Sequence, residues 1–165
     1  MKRKLAPGSA VSFRVTSAAE AAEALEYFNG FHDGFIKRIA IDSRDEMGED
    51  RSQSCSGVFD VAIDVAHYNY RKGEEPLQPY DRIVRAEFRN VQDVFCDFRE
   101  GFLGNTIIRL SVVDASRRKG GETGTEECLG LRLGRNFYLE KERRYEFREA
   151  QLFTFTEATF GEVLP

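Results

Sequence analysis

The chain has 165 residues, of which 41% are hydrophobic, 12% aromatic and 32% charged. This is the size of one ordinary globular domain, and the composition excludes collagen, coiled-coil and low-complexity chains. The net charge of −4, with no long basic run, argues against a nucleic-acid binder, which normally needs a basic face for phosphate contacts.

The first predicted elements are a strand and a capped helix. Residues 10–16 alternate between apolar and polar, which places Val11, Phe13 and Val15 on one side of a half-buried strand. Ser17 and Glu20 then have the spacing of a capping box, which predicts a helix over residues 18–29. The pair Asn29-Gly30 supplies a left-handed stop.

The middle of the chain alternates with period two in three segments. Strands are predicted from Phe35 to Asp42, over Gly57–Tyr70 and over Ile83–Val91, and polar loops at 44–56 and 71–81 separate them. Gly57–Tyr70 has the clearest alternation, with Val61, Ile63, Val65 and His67 on the inner side and Asp60 and Asp64 on the solvated side. Four phenylalanines fall on predicted core positions of these strands and of the first one: Phe13, Phe35, Phe59 and Phe88.

The second half predicts further strands. Residues 105–114 and 127–133 should form a hairpin with a long tip, and residues 143–148 and 152–160 are also strand candidates. Residues 139–149 suit a charged helix equally well. A short helical turn within 92–99 is a further option. Successive strands without intervening helices predict antiparallel pairing.

The fold prediction is therefore a single α+β domain spanning residues 1–165. It consists mainly of antiparallel sheet, in a sandwich or half-barrel of about seven or eight strands, with one N-terminal α-helix. Cys55, Cys96 and Cys128 are odd in number and widely spaced, which argues against a zinc ribbon and a secreted disulfide framework. No segment suits a signal peptide or a membrane span, so we expect a cytoplasmic protein without membrane attachment.

Few residues suggest chemistry. The chain has two histidines, His32 beside Asp33 at the end of the helix, and His67 at the end of the strongest strand. A histidine next to an aspartate can act as an acid/base pair, yet polar residues at such corners more often bond to the backbone. No local metal-ligand spacing, nucleophile elbow or P-loop is present, so neither a metal nor a cofactor is expected.

Two hypotheses follow for function. The first is a non-catalytic module that binds a protein partner or its own copy, with Tyr68, Tyr70 and Tyr80 near one strand end as candidate contacts, since tyrosine is common at interfaces. The second is a small enzyme or a metal-binding or ligand-binding domain that uses His32, Asp33 and His67. A less favoured third idea is recognition of a basic partner by the acidic loop 42–50.

The segment Leu25–Ile39 includes Phe31-His32-Asp33 and resembles the start of several small bacterial families in which a Phe-His-Asp element precedes the first long strand. Some of these families are similar to immunity-type proteins of bacterial toxin systems. Residues 86–91 also look like a later strand of theirs. The resemblance implies a non-enzymatic, cytoplasmic domain that binds a partner, and it assigns no catalytic residues.

Overall fold

The computed structural model describes residues 11–32, 34–54, 56–67, 83–92, 94, 109–118, 124–139 and 141–163. The helices are α1 (Ala18–Tyr27) and a 3-10 helix (Asn29–Phe31). The strands within the described residues are β1 (Ser12–Val15), β2 (Phe35–Ser43), β3 (Glu46–Met47), β4 (Gln53–Ser54), β5 (Phe59–Ala66), β6 (Ile83–Val91), β7 (Arg109–Arg118), β8 (Thr125–Leu139), β9 (Arg144–Phe155) and β10 (Glu157–Val163).

Two antiparallel sheets account for the longer strands of the described residues. The main sheet has the order β1-β10-β6-β5-β2, and the second sheet has the order β7-β8-β9. The short strands β3 and β4 pair with each other inside the predicted loop 44–56. The predicted α+β class, with antiparallel sheet and one N-terminal α-helix, is confirmed.

The N-terminal helix begins as its sequence indicates. The Glu20 amide donates to Ser17 Oγ at 3.3 Å, and Glu20 Oε2 accepts from the Thr16 amide at 2.7 Å. That backbone contact lowers the pKa of Glu20. The helix ends at Tyr27, two residues before the predicted boundary, because the left-handed turn already begins with Asn29 at φ 52° and Gly30 at φ 60°.

The core lies between the main sheet, the helix and the second sheet. Alternate residues of the main-sheet strands, including Val61, Ile63 and Val65, turn toward it and are buried as predicted. Of the four predicted core phenylalanines, Phe88 is fully buried, Phe13 and Phe59 pack partly buried against the core, and Phe35 is half-buried.

The two sheets are joined at a corner of the chain. Strands β9 and β10 belong to different sheets and meet at Thr156, so one nearly continuous segment serves both sheets. A backbone bridge between Gln92 and Thr154, with both N···O distances 3.0 Å, closes the corner. A short helical turn is a further prediction for residues 92–99, and most of these residues lie outside the described ones.

The second sheet settles the ambiguity at residues 139–149: the described ones, 139 and 141–149, are strand and turn. Leu139 pairs with Arg144 and Tyr138 pairs with Tyr145, so β8 and β9 form a long hairpin. Arg143 takes φ 50° in its turn. The β7–β8 hairpin is also confirmed, but its tip is shorter than predicted because the ladder continues to the pair of Arg118 with Thr125.

Candidate functional site

One of the two histidines lies in the core. His67 is 1% exposed, its Nε2 lies 2.8 Å from the carbonyl oxygen of Phe28, and its ring stacks on Phe31 with centroids 5.8 Å apart. A carbonyl can only accept, so Nε2 carries the proton that is donated. His67 therefore fastens the end of β5 to the end of the helix.

The turn that surrounds this imidazole is tightly packed. Phe31 is buried although its φ of 57° is unusual for an aromatic residue. A Cβ atom at Gly34 would lie only 2.9 Å from Val65 Cγ1 and 3.0 Å from the Phe31 carbonyl oxygen. A residue other than glycine would thus displace backbone or core atoms.

The other predicted site residues are not brought together with His67 by anything in the described residues. His32 is exposed on the surface, in contrast to the buried His67. Asp33, Tyr68 and Tyr70 lie outside the described residues, as does Tyr80. Within the described ranges, no group of three His, Cys, Asp or Glu side chains is placed to hold a metal ion. The hypothesis of a small enzyme or ligand-binding domain gains no support from this geometry.

A different constellation lies on the outer face of the main sheet, the face turned away from the core. Strand register places Arg85, Glu87 and Arg89 of β6 on this face, beside Asp60 and Asp64 of β5. The described ion pairs here involve five arginines, and they are Arg14–Glu157, Arg38–Asp64, Arg44–Asp60, Arg85–Asp64 and Arg89–Asp60.

Asp64 is the most buried carboxylate of this face. It accepts from Arg85 Nε at 2.7 Å and from a second Arg85 nitrogen at 3.0 Å, and Arg38 lies 3.8 Å away. The hydrogen bonds from Arg85 hold the pKa of Asp64 below its ordinary value, although burial opposes them. The Asp64 side chain is 10% exposed, whereas the Arg38 side chain is 61% exposed, so the guanidinium faces solvent above the carboxylate.

Asp60 holds two further arginines. Arg44 donates to both of its oxygens, at 3.0 and 3.1 Å, and Arg89 donates at 2.5 Å. Burial raises the pKa of Asp60, but the hydrogen bonds from Arg44 and Arg89 outweigh it and the net shift is downward. Both guanidinium groups are therefore held by a carboxylate that stays ionised.

Asn90 connects this face to the corner between the sheets. It takes φ 53° where the β5–β6 register shifts, which is typical of a β-bulge. Its side-chain oxygen accepts from Arg44 at 2.8 Å, and its side-chain nitrogen donates to Thr156 Oγ1 at 2.9 Å. Its carbonyl accepts from the buried Arg117 at 2.5 Å. The bulge thus fixes one end of the outer face.

The sequence interpretation of Asp60 and Asp64 as simply solvated missed this network. Asp64 is buried, and both aspartates bind arginine side chains. The signal was present, since Arg85 and Arg89 repeat the four-residue spacing of Asp60 and Asp64 in the neighbouring strand. Only the register, which pairs Asp64 with Arg85, shows that the two sets meet.

The acidic loop 42–50 uses some of its carboxylates internally. Asp45 accepts from the Ser56 amide at 2.6 Å, and Asp50 accepts from the Ser52 amide at 3.0 Å. Hydrogen bonds to Ser56 and to Ser52 lower the pKa of Asp45 and of Asp50, respectively. These exposed carboxylates close turns within the loop, and their lowered pKa values keep them ionised.

Comparison of the chain with protein-family models, with curated proteins and with solved structures found no match. In the described part of the chain, no helix has the length and apolar character needed to cross a membrane.

Proposed function

We propose that this protein is a non-catalytic protein-binding module whose partner docks on the outer face of the main sheet. The observation that supports the proposal is the set of arginines held in place by less exposed carboxylates. Arg14 is 72% exposed in its side chain, and Arg38 is likewise exposed, while Asp64 lies beneath.

Arginine held in this way is suited to recognition. Its planar fork loses less conformational freedom on binding when a carboxylate already orients it, and arginine is enriched among the residues that dominate interface energies. A surface of exposed guanidinium groups is complementary to a partner surface that carries carboxylates.

A protein surface suits this face better than a nucleic acid does. Glu87 and Glu157 lie among the arginines, and the chain as a whole has a net charge of −4. Acidic groups at these places repel a phosphate backbone, while a partner of mixed charge can pair with both signs. The partner is therefore a protein whose surface carries carboxylates for these arginines.

The immunity-like interpretation adds a candidate for that partner. The resemblance of the segment around Phe31-His32-Asp33 to immunity-type proteins supports a bacterial, cytoplasmic protein that neutralises a toxin of its own system. Under this proposal the toxin is the acidic partner. Co-expression of the chain with that toxin should restore growth of the host cell.

The decisive experiment adds negative charge to the outer face. The partner is purified from the source cells on the tagged chain, and its dissociation constant is then measured by calorimetry. Arg14→Glu and Thr159→Glu, the latter opposite Glu87 in the sheet, should each weaken binding about tenfold or more. Added salt should weaken binding of the unaltered chain.

The matched control is Lys141→Glu, the same reversal on an exposed residue in the turn of the second sheet. It should leave the dissociation constant unchanged. Equal loss from Lys141→Glu, or no loss from either outer-face variant, would show that the partner binds elsewhere.

A further inference from the structure

Strand β2 is an edge of the main sheet. Within the described residues it pairs with β5 and with no other strand. Ile41 is 48% exposed although it lies opposite the buried Val61. An edge strand offers a row of backbone donors and acceptors to another strand, and an exposed isoleucine on it adds an apolar contact.

We propose that β2 pairs antiparallel with β2 of a second copy of this chain, with the two-fold axis at Ala40. In this register Arg38 lies opposite Asp42 of the partner subunit, on the outer face. Ile39 lies opposite the partner's Ile41, on the inner face. Two-fold symmetry repeats each pair, so the interface matches opposite charges twice and isoleucine with isoleucine twice.

The neighbouring registers are less favourable. Moving the axis to Ile41 places Arg38 opposite the partner's Arg44 and Asp42 opposite the partner's Ala40, and moving it to Ile39 places Arg38 opposite the partner's Ala40. Like charges directly opposite one another destabilise a strand pair, and an alanine offers a charged side chain no ion pair. Within Arg38–Ser43, the axis at Ala40 is the only one of these three that pairs opposite charges.

The charges within one copy also favour the pairing. Asp42 lies directly opposite Asp60 of β5, which is a like-charge cross-strand pair. Asp60 has Arg44 and Arg89 as its cations. The partner's Arg38 would supply a positive charge beside Asp42.

A bulge sets the length of the pairing segment. The register of β2 shifts between Ile36 and Arg38, and Lys37 at this place is exposed. A bulge with an exposed lysine protects an edge from pairing. The regular part of β2, Arg38 to Ser43, is thus the part that remains suitable for pairing with a second copy. It contains all the proposed residue pairs.

This dimer does not depend on the proposed function, although Arg38 belongs to both surfaces: the partner protein binds the sheet's face, and the second copy binds its edge. Sedimentation equilibrium of the full chain tests it from micromolar to millimolar concentration. The mass should rise toward twice the 18.8 kDa of one chain. A mass of one chain over the whole range overturns the proposal.

Charge exchange tests the register itself. Arg38→Asp alone and Asp42→Arg alone each place like charges opposite one another, so each should raise the dimer dissociation constant about tenfold or more. An equimolar mixture of the two variants restores both opposite-charge pairs and should dimerise as the unaltered chain does. A mixture that stays monomeric, or single variants that still dimerise normally, contradicts the register.

Ile41→Lys tests the apolar pairs and decides the outcome if Arg38→Asp fails to fold beside Asp64. It should abolish the dimer, while the control Met47→Lys, another exposed apolar residue of the chain, should leave the mass unchanged. Circular dichroism confirms folding of each variant. Dimerisation of Ile41→Lys at the normal concentration would exclude β2 as the interface.

Discussion

The two faces of the main sheet are formed by alternate residues of the same strands, yet they have opposite character. On β6, Phe88 is 0% exposed and contacts three other phenylalanine rings, with centroid distances of 4.9, 5.0 and 5.8 Å. Its neighbours Glu87 and Arg89 point outward among ion pairs. The difference shows that alternate residues of one strand can build a packed apolar core and a charged surface at the same time.

The energies of the two faces explain this separation. Burial of a large apolar side chain contributes about 1.5–3 kcal/mol, whereas an ion pair exposed to solvent contributes about 0–1 kcal/mol. The inner face therefore dominates folding. Apart from the buried Asp64, charges of the outer face can therefore be changed at little cost in stability.

The largest expected effect comes from the inner face. Phe88→Ala removes a ring from the centre of the phenylalanine cluster and should lower the free energy of unfolding by about 3–5 kcal/mol. Because the chain has no Trp, urea unfolding is best followed by far-UV circular dichroism.

The control for this variant is Glu87→Ala, one residue away in the same strand and on the outer face. Its unfolding midpoint should stay close to that of the unaltered chain. Equal destabilisation by the two variants would mean that the faces do not differ as described.

The sequence was sufficient for the elements that follow local rules. Ser17 caps the helix, Asn29 and Gly30 end it, and the alternation in β5 and β6 identifies their buried sides. These signals arise from hydrogen bonds and side-chain periodicity within a few residues. They needed no knowledge of the partners of each strand.

The network on the outer face depends on contacts that are distant in the chain. Asp64 meets Arg85 only because β5 and β6 pair in one register, and Arg44 reaches Asp60 from the loop after β2. His67 was expected at the rim of the core, but its partner is a backbone carbonyl that no side-chain pattern reveals. Long-range register is therefore what sequence reasoning lacked.

A smaller effect is expected on the outer face at Asp64. Asp64→Asn keeps the shape but cannot accept two charge-assisted hydrogen bonds from Arg85, so it should cost about 1–2 kcal/mol at neutral pH. This expected loss of unfolding free energy is at the low end for charge-assisted hydrogen bonds because the Arg85 side chain is 36% exposed.

The pH dependence of this variant has a defined sign. The pKa of Asp64 in the folded chain lies below its ordinary value of 3.8, so its contribution is complete above that value. The contribution is lost as the pH falls through the folded-state pKa. Urea unfolding from neutral to acid pH should therefore show the two chains converging in acid, and a constant difference would contradict the ionised pair.

The smallest effect on stability is expected at Arg14, which lies on strand β1, at the edge of the main sheet opposite β2. Its Nε is 2.8 Å from Glu157 Oε1, and that hydrogen bond raises the pKa of Arg14, but the side chain is largely exposed. Water competes with such a pair, so Arg14→Gln should leave the melting temperature within experimental error.

The same variant should weaken binding of the proposed partner, because complementary charge at a surface acts mainly on association. Melting followed by circular dichroism and binding followed by calorimetry separate the two effects. A melting temperature lowered as far as in Asp64→Asn would instead assign Arg14 to the structural part of the sheet.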